Sequence, residues 1–183
     1  GGERCNITNA QDDERVLLSH YGEAAAFLHS PFSQFGMRDT FSFFESQGLP
    51  LVVHARNRAF PRTEKARDVV QALQKYLADN HVTVQTGATV ERIEAKDHRI
   101  TGVIVQGKKM IASSVIIATG GISHPETGST GDGFSWLTSL GHTVKEPTPT
   151  IVPLAVSDAW VKKIPGISLS GVRIVFFLEG IRA

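Results

Sequence analysis

The run Val115-Ile116-Ile117-Ala118 is continuously apolar and passes straight into Thr119-Gly120-Gly121. Four apolar residues in succession leave no polar face, so a strand built from them is expected to be buried on both sides. Strands of that kind belong to parallel sheets covered by helices, and this predicts an α/β fold for the chain. Ahead of the run, Ala66, Val69, Val70, Leu73, Tyr76 and Leu77 follow the i, i+3, i+4, i+7 stripe of an amphipathic helix. Thr63 is the expected N-cap, with Glu64 at the positive end of the dipole.

The remaining elements follow from the same patterns. Asp12 to Leu28 has near-helical apolar spacing and is expected to break at Ser30-Pro31. The phenylalanines 35, 41, 43 and 44 predict a second helix closed by Gly48. Leu51–His54 and Arg58–Phe60 read as short extended pieces, and Val82–Val84 as a half-buried strand. Ala88–Ala95 and Ile100–Val105 predict two strands joined by a turn at Asp97-His98, a small antiparallel layer within residues 82–105. A two-turn helix is expected over Phe134–Leu140, opened by Asp132 and closed by Gly141. Pro147, Pro149 and Pro153 have the composition of an interdomain crossing. Residues 1–150 are therefore expected to form one domain and residues 151–183 the start of another, with Gly171–Leu178 a strand in it.

Composition excludes several classes of function. Lys+Arg of 19 against Asp+Glu of 18 leaves a formal charge of +1 without a basic stripe, so no nucleic-acid partner is expected. No apolar run approaches the roughly 20 residues that span a bilayer. The opening residues are no signal peptide and Cys5 is the single cysteine, which fits a reducing cytoplasm. The seven histidines are scattered without metal-ligand spacing, so no metal site is expected.

Three glycine-rich loops carry what chemistry there is. Thr119-Gly120-Gly121 sits where ligands bind in open α/β sheets, beyond the carboxyl end of a strand; it reads equally as a plain exit turn. Gly128-Ser129-Thr130-Gly131-Asp132-Gly133 leads into a helix whose free N–H groups would favour an anion such as pyrophosphate. It lacks the Gly-Lys-Ser/Thr end of a P-loop, and as a cap it needs only Asp132. Gly1-Gly2-Glu3-Arg4-Cys5-Asn6 puts donors beside two glycines, or is simply a loose chain end.

In order, Gly2-Glu3-Arg4-Cys5-Asn6-Ile7-Thr8-Asn9, Arg58-Ala59-Phe60-Pro61-Arg62-Thr63, Ala118-Thr119-Gly120-Gly121-Ile122-Ser123-His124-Pro125 and Thr127-Gly128-Ser129-Thr130-Gly131-Asp132-Gly133 resemble the BaiN/RdsA-type, or aminoacetone-oxidase-like, FAD-dependent oxidoreductases. Gly141-His142 and Ile151-Val152-Pro153-Leu154 fit the same pattern, so the resemblance covers nearly the whole chain. It implies an FAD-binding domain of glutathione-reductase-like layout with an inserted β-rich substrate domain. It implies cofactor contacts by Arg4, Cys5, Asn6, Thr8 and Asn9, by Ala118, Thr119, Gly120 and Gly121, and by Thr130, Gly131 and Asp132. Val90 is the candidate, by position, for a backbone contact to adenine. The implied reaction moves hydride between flavin, NAD(P)H and a small organic substrate, or oxidises that substrate with oxygen. No general acid or base is indicated.

The chain departs from the family pattern in lacking the opening Gly-x-Gly-x-x-Gly, its ribose-binding acid and the far C-terminal flavin loop, and in carrying Glu3 where glycine is common. It is therefore expected to be an incomplete FAD-binding unit, inactive and weak in flavin retention by itself. Two other readings stay open on the residues alone: a non-catalytic module whose glycines only turn and cap, and a nucleoside-phosphate-binding domain using Gly128–Gly133. Cys5 has no resolving partner and reads as a small packed residue or a flavin contact. His124 reads as a surface or capping histidine, and Arg58 and Arg62 as solvated charges or anion ligands.

Overall fold

The computed structural model describes residues 4–148, 159–163, 175, 177–178 and 181–182. The chain divides into two compact units, Gly1–Ala88 and Thr89–Ala183. Strands β1 (Thr8–Asn9), β2 (Leu51–His54) and β3 (Arg58–Pro61) and helices α1 (Glu14–Ser19), α2 (Ala25–Gln34), α3 (Met37–Ser46) and α4 (Ala66–Asp79) build the first unit. The second holds β4 (Val90–Lys96), β5 (Arg99–Val105), β6 (Lys108–Ile111), α5 (Asp132–Ser139), β7 (Phe177–Leu178) and β8 (Ile181–Arg182).

In the first unit the sheet order is β1-β3-β2, with both pairings antiparallel. The core is Phe44, Leu49, Leu51 and Val69, with Cys5, Ile7, Phe41, Phe43 and Ala72 packed on it. Helix α3 ends as its sequence predicts. Gly48 takes φ +76°, its N–H reaches Glu45 O at 2.9 Å, and Leu49 N–H reaches Phe44 O at 2.9 Å. These two bonds and the Phe44–Leu49 contact make a Schellman closure.

Three expectations fail here for local reasons. The break near Ser30-Pro31 falls instead at Gly22 (φ +53°), and α2 runs through Pro31 to Gln34. Proline removes one N–H from the ladder but its fixed φ suits a helix. Thr63 does not cap α4: the N-cap is Lys65, without a side-chain bond, and Thr63 Oγ1 accepts only a long 3.5 Å contact from Lys65 N–H. Val82–Val84 form no strand, because Val82 N–H is spent on Leu77 O at 2.9 Å, closing α4 behind His81 at φ +57°.

In the second unit β4, β5 and β6 form an antiparallel meander. The predicted turn is present, with Asp97 and His98 at φ +50° and +60°, the left-handed pair of a two-residue hairpin. Strand β6 was not foreseen, since all four of its residues are exposed and none alternates. Among the described residues every ladder is antiparallel. Val115–Ala118 thus forms no strand among the described residues, and Ile116 is 92% exposed rather than buried. Burial on both faces needs neighbouring strands, and none of the described ones lies beside it. Of the strand expected over 171–178, residues 177–178 pair with β8, whereas 171–174 and 176 lie outside the described residues. The expected opening of a second domain at 151–158 lies outside them too.

Candidate functional site

Helix α5 organises the second unit's candidate residues. Its first turn contains Gly133, which is buried; a Cβ there would strike Thr119 Oγ1 and sit 2.9 Å from Ile117 Cγ2. The segment before the Gly120-Gly121 turn can therefore lie directly on the helix start. Val115, Ile117 and Thr119 are half-buried, and Ile116 and Ala118 are exposed. Val115, Ile117–Gly120, Gly133, Phe134 and Leu137 line an open cleft of about 440 Å³. The interlock continues along the loops. A Cβ on Gly131 would come 2.8 Å from Ile122 Cγ2, and one on Gly120 would come 2.9 Å from Ser129 Oγ. Close approach favours glycine at 131 and 133, the role of the helix–strand glycine in dinucleotide folds, and left-handed backbone favours it at 120 and 131 (φ +73° and +86°).

The same helix holds the start of the meander. Trp136 Nε1 donates to Glu91 O at 3.1 Å, tying α5 to β4 next to Val90. Strand β4 is an edge of its sheet, with Val90 half-buried opposite Val105. Trp136 carried no functional expectation, and its indole gives no periodic signal at this distance in sequence. The structure thus gathers Val90, Ala118–Gly121 and Thr130–Asp132 around one helix.

Asp132 is not the N-cap expected of it. Gly131 caps α5 with φ +86° and no side-chain bond, and the exposed Asp132 carboxylate accepts Thr130 Oγ1 at 2.7 Å. The N–H groups of Asp132 and Gly133 have no acceptor among the described residues. Gly141 does close the helix, its N–H on Thr138 O at 3.0 Å and that of His142 on Leu137 O at 3.0 Å. His124 is a surface histidine, as read: it precedes the short turn Pro125–Thr127, and its Nδ1 lies 2.8 Å from Glu126 Oε1. A hydrogen bond from its own backbone N–H, and then His124, hold the Glu126 carboxyl below the usual range.

In the first unit the Arg4–Asn9 segment ends in the edge strand β1 (Thr8–Asn9), paired with β3. Thr8 pairs with Ala59 and Asn9 with Arg58, and Ile7 N–H donates to Ala59 O at 2.8 Å. Asn9 Oδ1 accepts from Gln11 N–H at 3.0 Å, turning the chain toward α1. Cys5 packs half-buried against the Phe44 core, and Asn6 is exposed. Arg4 is paired rather than loose: Nη2 bonds Glu64 Oε1 at 2.8 Å, with the guanidinium 4.6 Å from the centre of the Phe60 ring. Arg58 also overlies Phe60, at 5.8 Å, and donates to Ala55 O at 3.1 Å. Sequence patterning missed Glu64 as a site residue, assigning it to the helix dipole, because its partner is 60 residues away.

Among the described residues no cluster of His, Cys, Asp and Glu could hold a metal. No helix there is long and apolar enough to cross a membrane. The family model described as the HI0933-like protein Rossmann domain matches residues 1–174. The chain is 33% identical, over 94% of its length and 40% of the relative's, to the 3-dehydro-bile acid delta(4,6)-reductase of Clostridium scindens. It is 28% identical, over 92% of its length and 42% of the relative's, to the ribosomal RNA dihydrouridine synthase of Haemophilus influenzae. It spans about two fifths of the length of these curated relatives. A family match over residues 1–174, on loops whose glycines interlock around one helix, means that the chain belongs to the HI0933-like Rossmann family, that of the BaiN/RdsA-type FAD-dependent oxidoreductases.

Proposed function

We propose that this chain carries part of the cofactor site of an FAD-dependent oxidoreductase that reduces a small organic substrate at the expense of NAD(P)H. The observation that supports this best is the gathering of Val90, Ala118–Gly121 and Thr130–Asp132 around the start of α5. Gly120 and Gly121 are exposed directly after the apolar segment Val115–Thr119 that seats on α5, a place comparable to the strand ends where α/β folds take their ligands. The unpartnered N–H groups of Asp132 and Gly133 suit a pyrophosphate oxygen. The edge of β4, which no other strand among the described residues covers, offers the backbone of Val90 to an adenine. Arg4 supplies a permanent positive charge in the first unit. Bound flavin supplies the hydride chemistry, and these residues bind and orient it. The names of the two relatives, a reductase and a dihydrouridine synthase, support the redox reading.

Gly121 gives a clean test. Its Cβ would meet nothing within 4 Å and its backbone is not left-handed, so Gly121→Ala leaves the fold intact. A cofactor lying against this backbone would meet the added methyl. Fluorescence titration of the full-length gene product with FAD is expected to show Kd raised about tenfold or more, a loss of ~1.4 kcal/mol, with an unchanged melting temperature. Equal affinity of the two proteins would remove the Gly120-Gly121 backbone from the site.

A further inference from the structure

Glu64 takes φ +57° in the turn between the buried Pro61 and helix α4. Left-handed backbone disfavours any residue with a Cβ, and the residues that visit it readily are Gly, Asn and Asp. The Glu64 side chain has a specific use in that position. Its Oε1 receives Arg4 Nη2 at 2.8 Å and lies 3.0 Å from His54 Nε2. Both of these partners also pack on Phe60. The Arg4 guanidinium lies 4.6 Å from the ring centre, and His54 meets the ring edge-on at 5.2 Å. The Phe60 face and the Glu64 carboxylate thus fix one guanidinium from two sides.

Stability does not account for this arrangement. The Arg4 and Glu64 side chains are 45% and 43% exposed, and exposed ion pairs return less than a left-handed glutamate costs. A glycine at position 64 would serve the turn better.

We propose that Glu64 is a positioning residue, kept in strained backbone because its carboxylate presets Arg4 for an anionic group of the cofactor. This rests on the reading of Arg4 as a cofactor-binding residue. Among the described residues only Nη2 of Arg4 has a hydrogen-bond partner, so the remaining guanidinium donors are free to face a phosphate. His54 Nε2 lies against the same Oε1 that receives Arg4, so one carboxylate oxygen gathers both side chains beside Phe60.

The experiment compares Arg4→Ala, Glu64→Gly, Glu64→Gln and the double variant Arg4→Ala/Glu64→Gly in the full-length gene product. Two quantities are read: the melting temperature without FAD, and Kd for FAD by fluorescence titration. Arg4→Ala is expected to raise Kd by about tenfold to a hundredfold. Glu64→Gly is expected to melt at or above the wild-type temperature and yet raise Kd about tenfold. Glu64→Gln keeps an acceptor oxygen and recovers most of that affinity. The double variant binds no more weakly than Arg4→Ala alone, since Glu64 acts through Arg4. Wild-type affinity in Glu64→Gly, a lower melting temperature in that variant, or additive losses in the double variant would overturn the proposal. Wild-type affinity in Arg4→Ala would instead remove Arg4 from the cofactor site, and the role of Glu64 with it.

Discussion

Gly133→Ala is the sharpest test of how the second unit is assembled. The new methyl would strike Thr119 Oγ1 and stand 2.9 Å from Ile117 Cγ2. Both atoms belong to β-branched side chains, whose χ1 is stiff, so rotation cannot clear the space. Overpacking of this kind costs about 1–3 kcal/mol. Against it stands the helix propensity of alanine over glycine, about 1 kcal/mol in a helix interior and less in the first turn. The clash wins, leaving a net loss of about 1–2 kcal/mol. For a domain of this size that lowers the melting temperature by roughly 2–8 °C. Thermal unfolding followed by far-UV circular dichroism measures it, with Gly121→Ala as the control that adds a methyl in open space. A Gly133→Ala protein melting at or above the wild type would refute the direct seating of residues 115–119 on helix α5.

Asp132→Asn is expected to weaken FAD binding while moving the melting temperature of the flavin-free protein little, because Gly131 rather than Asp132 caps the helix; equal FAD affinity in a titration would confine Asp132 to its bond with Thr130. Glu94 lies in the meander with its carboxyl held below the ordinary glutamate value by hydrogen bonds from Lys109 and then Arg92. Its folded pKa is depressed, so its contribution to stability is present above the unfolded value and lost as pH falls through the folded one. Wild type should be more stable than Glu94→Gln at neutral pH, and the two acid-unfolding curves should converge as pH falls through and below the ordinary glutamate range; a difference that stays constant into acid, or none at neutral pH, would refute the assignment.

The candidate site was legible where residue chemistry is local. Gly120, Gly121 and Gly131 were marked by their spacing, and all three lie on the loops that meet at α5. What they do there was not legible. The sequence offers ligand approach or simple turning, whereas at Gly120 and Gly131 the structure shows close approach to Ser129 and Ile122. Glu64 and Trp136 were missed for one reason. Their partners, Arg4 and the Glu91 carbonyl, lie 60 and 45 residues away, and no periodic pattern records a contact at that separation.

The elements that the sequence by itself determined are those stabilised by their own residues. Helix α4 follows from an apolar stripe, the β4–β5 hairpin from alternation around Asp97-His98, and the closures at Gly48 and Gly141 from residues able to adopt left-handed backbone. Only the tertiary structure decided the edges. Strand β1 is two residues on the rim of β3, β6 is exposed throughout, and Val115–Ala118 pairs with no strand among the described residues. Strand identity there depends on whether another backbone lies within hydrogen-bonding distance, and side-chain periodicity carries no information about that.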